Sequence, residues 1–226
     1  MRSLINVSSI LILAALVIAV GIGCTQTGER DVSSHAEIAL PPPSLVGKVS
    51  VEAALAKRRS VRSFAQQDLT LQQTGQLAWA AQGITDASGG RRTSPSAGAI
   101  YPMKVYLVKH DGVFEYVPDG HKLRRLFGDD RRADLNSQPS VRQAPLDIVI
   151  TGDYAKTRAK YDERAERYVI IEAGHIGQNI HLQAVALGLG SVSVGAFNDG
   201  VVTEVLALPS RETPLYIIPV GYPSGT

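Results

Sequence analysis

Two short stretches carry the residue types from which a binding site could be built. "RRSVRSF", Arg58 to Phe64, packs three arginines and two serines into seven positions. "SPSAGAIYP", Ser94 to Pro102, mixes small residues, hydroxyls and prolines beside an aromatic. Arg58, Arg59 and Arg62 are planar, permanently charged forks, and Ser60 adds a hydroxyl between them, the group types that grip a phosphate monoester bidentately. In a helical turn Arg58 and Arg62 would share a face. The competing reading is a solvated basic helix C-terminus, which the helix dipole also favours. In the second stretch, Pro95, Ser96, Ala97 and Gly98 let backbone approach a planar ligand, hydroxyls and amides meet its polar edge, and Tyr101 packs nearby; a glycine-rich surface loop is the alternative. A third stretch, "KYDERAERY", sets Lys160 beside Tyr161, a cation and a phenol that could together accept or deliver a proton. A charged helix start with surface pairs from Glu163 and Arg164 competes with that reading.

Other chemistries lack their signatures. "GLGSVSVGAF" contains Gly188, Gly190 and Gly195, but no GxGxxG follows a strand and no GxxxxGK[ST] occurs, which disfavours a Rossmann dinucleotide site and a P-loop. Ser193 lacks the first glycine of a G-x-S-x-G elbow and reads as a strand residue. The five histidines show no metal-ligand spacing, and His175 and His181, six apart, do not share a helix face. No metal site is expected. Cys24 is the single cysteine, so the fold must hold without an internal disulfide.

At 226 residues with 44% hydrophobic and 19% charged, the chain suits one ordinary globular domain behind an N-terminal leader. Formal charge is +2, and loss of residues 1–23 removes only Arg2, leaving 2 − 1 = +1, too little to argue for nucleic acid. After Arg2, Ile10 to Ile22 is apolar apart from Gly21, a run of about thirteen residues that suits a signal-peptide core better than a membrane helix of about 20. It ends in Gly21-Ile22-Gly23-Cys24, which resembles the lipobox of bacterial lipoproteins. Residues 1–23 therefore read as a lipoprotein-type signal peptide, with Cys24 lipidated and the protein anchored in the cell envelope facing outside the cytoplasm. An uncleaved anchor is the alternative. Residues 24–48, polar and then Pro41-Pro42-Pro43, read as a stiff tether, and residues 49–226 as the folded domain.

Within that domain Ser50 can cap a short helix through Glu52, Leu55 and Ala56. Thr70 and Gln73 have capping-box spacing for a helix through Leu77 and Trp79 to Gly83. "MKVYLVKHDGVFEYVP" predicts a hairpin around Asp111-Gly112, and "PLDIVITGDY" another strand. Helical spacing of Tyr168, Ile171, Ile176, Ile180, Ala184 and Leu187 predicts a long helix from about Glu163 to Leu187, with Gly174 and Gly177 suggesting close approach of another backbone. "SVSVG" and "PLYIIPVGYP" complete the strands, around a helix capped by Asn198 or Asp199. This mixed order predicts an α+β fold.

Taken in order, RRSVRSF, WAAQGIT, SPSAGAIYP, KYDERAERYVIIEAGHIGQNIHLQAVALGLGS and PLYIIPVGYP resemble the nitroreductase superfamily, and within it the SagB/ThcOx-type azoline dehydrogenases. The resemblance runs from about Val51 to Pro223. It implies a sandwich of a mixed, mainly antiparallel sheet with helices on both faces, an intertwined homodimer around long central helices, and FMN at the subunit interface. By the same resemblance Arg58, Arg59, Ser60 and Arg62 would hold the phosphate and ribityl end. Pro95, Ser96, Ala97 and Gly98 would meet the flavin from the partner, Val194 and Gly195 would lie by the ring, and Lys160 and Tyr161 would be the catalytic pair. The implied activity is FMN-dependent oxidoreduction of a small molecule, in one direction with NAD(P)H as donor. A flavin-binding lipoprotein without turnover is the alternative on the same fold.

Overall fold

A computed structural model describes residues 36–86 and 88–224. The expected leader, Cys24 and the first part of the tether lie outside the described residues. Among the described residues no helix is long and apolar enough to cross a membrane.

The domain is built on one seven-stranded sheet in the order β1-β6-β5-β4-β7-β9-β8. The strands are β1 (Glu37–Ala39), β4 (Met103–Lys109), β5 (Gly112–Val117), β6 (Lys122–Phe127), β7 (Leu146–Gly152), β8 (Gly190–Ser191) and β9 (Thr213–Gly221); β2 (Ile84–Asp86) and β3 (Arg91–Arg92) form a separate small ribbon. Every ladder in the large sheet is antiparallel, and the parallel component is a single bridge between Ser60 and Ser191. The helices are α1 (Val51–Lys57), α2 (Leu71–Gln82), α3 (Arg132–Leu135), α4 (Pro139–Arg142), α5 (Tyr154–Tyr161), α6 (Ala165–Ala186) and α7 (Asp199–Leu206).

Strand alternation sorts the core into two layers. Val105, Leu107, Ile148, Ile150 and Ile218 face α2 and α6, while Tyr106, Val108, Val149 and Ile217 face α3, α4 and α7. Covered on both faces, β7 is buried at all seven positions, which is why its sequence reads as an apolar run rather than an alternation. On α6, Val169, Ala173, Ile176, Ile180 and Ala184 form the buried stripe.

The local signals for helix starts hold: Ser50 accepts from the amide of Ala53, Thr70 and Gln73 form a capping box, and Asn198 accepts from Val201. Three elements differ from expectation. The folded region begins before Val49, because β1 pairs with β6, Leu40 is buried in the core, and the Gln76 side chain bonds both the amide and the carbonyl of Ser44. The segment before α6 breaks into α5 and a 3-10 turn, since Asp162 takes φ 45 and interrupts the helix. "SVSVG" is a strand only at Ser191, with a single bridge at Val194; Ser193 lies outside it.

One buried group works against stability. Asp147 on β7 is fully buried, and neither carboxylate oxygen has a hydrogen-bond partner among the described residues. Burial raises its pKa well above the usual carboxylate range, opposed by the field of Arg132. The folded state thus binds a proton that the unfolded chain releases near pH 4, and stability falls as pH rises from there toward the folded-state value. Asp147→Asn should be more stable than the wild type at pH 7, by about 1–3 kcal/mol. Urea denaturation should find the two much closer at pH 4.

Candidate functional site

The basic cluster starts where α1 stops. Arg58 leaves the helix at φ −54, ψ 123, and Arg59 turns back, its Nη1 donating to the carbonyls of Ala56 at 3.0 Å and Arg58 at 2.8 Å. Arg59 is thereby spent on unsatisfied helix carbonyls. The helical turn that would align Arg58 with Arg62 does not form. Instead the chain runs extended, the Val61 amide donating to the Ser191 carbonyl at 3.0 Å. Close docking requires Gly190, where a Cβ would come within 2.6 Å of Val61 Cβ. Arg58 and Arg62 make no ion pair among the described residues.

His181, buried on α6, supports this strand from behind. Its Nδ1 lies 2.7 Å from Ser191 Oγ and its Nε2 2.8 Å from Ser193 Oγ. Burial, and then the charge of Arg58, lower its pKa, so the ring is neutral at pH 7, one nitrogen donating and the other accepting. Val194 exchanges two backbone hydrogen bonds with Ile217, at 2.8 and 3.0 Å, and the next residue, Gly195, is exposed with nothing within 4 Å of where a Cβ would sit. Two guanidinium groups without an ion-pair partner among the described residues, the Ser60 hydroxyl and the exposed Gly195 suit a phosphorylated planar ligand such as FMN.

The second group gathers around the loop Ser94–Pro102. Ser94 is buried, donating to the Ala81 carbonyl at 2.9 Å and accepting from Asn179 at 3.0 Å. Beyond it Gly98, Ala99 and Tyr101 all take positive φ, at 61, 55 and 51. This irregular path brings Gly98 against the suspected catalytic pair: a Cβ there would lie 2.7 Å from both Lys160 Nζ and Tyr161 Oη. Tyr161 is braced by the edge of Tyr168 at 4.9 Å between ring centres. Pro95 is exposed, and Ser96 and Ala97 are half-buried.

Both groups hang on α6. His181 and Glu172, which supports the loop, are nine residues apart, about 14 Å along the axis. The arginine cluster and the Lys160–Tyr161 edge are thus two separate groups on one chain. A cavity of about 490 Å³ between residues 44–51, α1, α2 and α6 contains none of Arg58, Ser60, Lys160 or Tyr161; Trp79, Gln76 and Asn179 are among its walls.

Sequence reasoning passed over Glu172 and His181. The available signal was an ionisable residue within the apolar stripe of α6, beside Ala173 and Ile180. It also passed over Gln82 and Arg92, which meet Glu172 only through the fold, with Gln82 Nε2 donating to Glu172 Oε1 at 3.3 Å and Arg92 Nη1 to Gln82 Oε1 at 3.0 Å.

This sheet-and-helix architecture has relatives. The sequence profile of the nitroreductase family matches residues 55–222. A protein of Methanocaldococcus jannaschii that bears the nitroreductase name is 38% identical over 195 residues, covering 82% of this chain and 96% of the relative. A crystal structure from Ralstonia eutropha, also named for a nitroreductase, superposes with a TM-score of 0.79 at 30% identity, covering 86% of this chain and 93% of the other. A chain of the Escherichia coli microcin synthetase McbBCD complex, solved with truncated pro-MccB17 bound, shares the fold at a TM-score of 0.67 and 22% identity, covering 93% of this chain and 85% of that one. The chain belongs to the nitroreductase family, and family membership makes it an oxidoreductase.

Gly98→Ala should cost about 1–2 kcal/mol for the left-handed backbone alone and displace the Lys160 and Tyr161 tips. Thermal melting reads the first effect, and a structure of the variant reads the second.

Proposed function

We propose that the domain is an FMN-dependent oxidoreductase of the SagB/ThcOx-type, azoline-dehydrogenase-like branch, working as a homodimer on a small molecule. The observation that carries this reading is the seat of Lys160 and Tyr161 against Gly98, in the loop that would meet the flavin. When bound, FMN supplies an N5 atom that accepts or donates a hydride. The Arg58 and Arg62 forks and the Ser60 hydroxyl hold the phosphate and ribityl end. Val194, fixed to Ile217, sets the exposed backbone of Gly195 beside the ring edge. Lys160 and Tyr161 hold or move a proton at the substrate atom next to the one that exchanges hydride. The resemblance of this Lys-Tyr pair to that of the azoline-oxidising members favours dehydrogenation of a heterocycle. The opposite direction, with NAD(P)H as donor, uses the same phosphate and ring contacts. Under anaerobic conditions, bleaching of bound flavin by NADH or NADPH marks the reductive direction; its absence refutes that direction.

Pairing of two chains would join the two groups. On α6 the apolar Ile170 and Ile171 are 52% and 48% exposed, beside exposed Gly174, His175 and Gln178, and an added Cβ at Gly174 would meet nothing within 4 Å. A second copy laid on this face would carry its Pro95–Gly98 loop toward the first copy's arginines. The lipobox-like Gly23-Cys24 supports attachment of the pair to a membrane through an acyl group on Cys24.

Arg58→Ala combined with Arg62→Ala should weaken FMN binding roughly 100-fold, from the loss of two charge-assisted contacts. Fluorescence titration measures it, and unchanged affinity refutes the phosphate assignment. Lys160→Ala should lower turnover by about 100-fold or more while retaining flavin. Ile171→Asp should yield monomers by light scattering and lose flavin with them.

A further inference from the structure

We infer that Glu172 is a positioning residue that orders the Ser94–Tyr101 loop against Lys160 and Tyr161, and that it ties this order to its own proton. The inference rests on the reading above only in making that loop part of the flavin and substrate site.

Glu172 is 2% exposed, on the inner side of α6. Its carboxyl group accepts from Gln82 at 3.3 Å, and the Ser96 hydroxyl lies near enough to favour its charged form. Gln82 in turn accepts from Arg92, whose guanidinium lies 4.8 Å from the centre of the Tyr101 ring. The Arg92 amide donates to Tyr101 Oη at 3.2 Å, and the Tyr101 amide donates to Ser96 Oγ at 2.9 Å. The contacts form a chain from Glu172 through Gln82 on α2 and Arg92 on β3 to Tyr101 and Ser96 in the loop, whose far end returns beside Glu172. With Gly98, Ala99 and Tyr101 at positive φ, the loop has one 3-10 turn at Ala97–Ala99 for regular structure, and this chain of side chains adds to its hold.

Arg92 is the charged group facing Glu172, and the titratable groups nearby are Tyr101 in the loop and Tyr116 on β5, which faces Arg92 and bonds His121 at 2.9 Å. Burial dominates and lifts Glu172 to about 7, against the opposing hydrogen bonds of Ser96 and Gln82 and the field of Arg92. Lifting the loop would hydrate the carboxyl group and return it toward its ordinary value. The closed loop therefore binds the proton more tightly than the open one, and by linkage protonation favours closure. Opening becomes easier as pH rises from the hydrated value toward about 7, then levels off, by roughly 40-fold between pH 5 and 7.

Hydrogen exchange of the full-length protein between pH 5 and 8, corrected for intrinsic rates, tests this at the amides of Arg92 and Tyr101. The wild type should lose protection by tens of fold up to pH 7 and then plateau. Glu172→Gln, which keeps the shape and the acceptor, should remove the slope. A flat wild-type profile overturns the inference, as does a slope that persists in Glu172→Gln, since another group then titrates. If that variant fails to fold, Arg92→Gln should move the plateau to higher pH, and an unmoved plateau overturns the inference. FMN titrations over the same range keep the two readings apart: failure to bind FMN refutes the cofactor assignment, while exchange still reports on Glu172.

Discussion

The seating of α6 on the central strands is the constraint on which the other arrangements depend. Val169, Ile176 and Ile180 are fully buried against the sheet, and burial of three such side chains contributes about 5–9 kcal/mol before entropy is counted. That exceeds the roughly 2 kcal/mol lost by placing Gly174 and Gly177 in a helix. Because α6 cannot roll without exposing this stripe, its other residues become fixed points. His181 holds the strand that docks the arginine cluster, Asn179 anchors Ser94, and Glu172 meets the loop. The two groups are precise because they are tied to the same rigid element.

Buried ionisable groups divide into two kinds. Glu212 is compensated: Lys104 forms an ion pair with one oxygen at 2.8 Å, and Tyr106 and Thr151 donate to the other at 2.7 and 3.0 Å, pinning the start of β9 to β4 and β7. Burial alone would raise its pKa, but these partners together lower it. Glu172 and Asp147 are not compensated in this way. The first sits behind a functional loop and the second in a core layer remote from it, so the same penalty has different consequences: one couples to motion, and the other only lowers stability.

Legibility followed the range of the interaction. Caps at Ser50, Thr70 and Asn198 depend on residues three apart and were readable, as were the Asp111-Gly112 hairpin and the Ile176, Ile180 and Ala184 half of the α6 stripe, whereas Ile171 lies exposed and Val169 and Ala173 take the buried positions nearer the start. The run "RRSVRSF" showed its chemistry but not its shape, because the extended path through Ser60 is imposed by Ser191, far along the chain. β1 was hidden in a polar, proline-bearing stretch, since its pairing partner β6 supplies the order that its own residues do not. Lys160 and Tyr161 were recognisable as a pair, while their contact with Gly98 depends on a loop whose positive φ angles fall on Ala99 and Tyr101 as well as on glycine.

By itself the sequence determined the class of the fold, the family to which the chain belongs and the residue types available for anion binding and proton transfer, because periodicity, capping and motif order are properties of neighbouring residues. The tertiary structure alone decided which of those residues share a site. It spent Arg59 on a helix end, left Arg58 and Arg62 without an ion pair among the described residues, set Gly98 against Lys160 and Tyr161, and buried Glu172 behind the loop. These outcomes rest on contacts between residues distant in the chain and on the removal of water around charged groups, neither of which a linear reading contains.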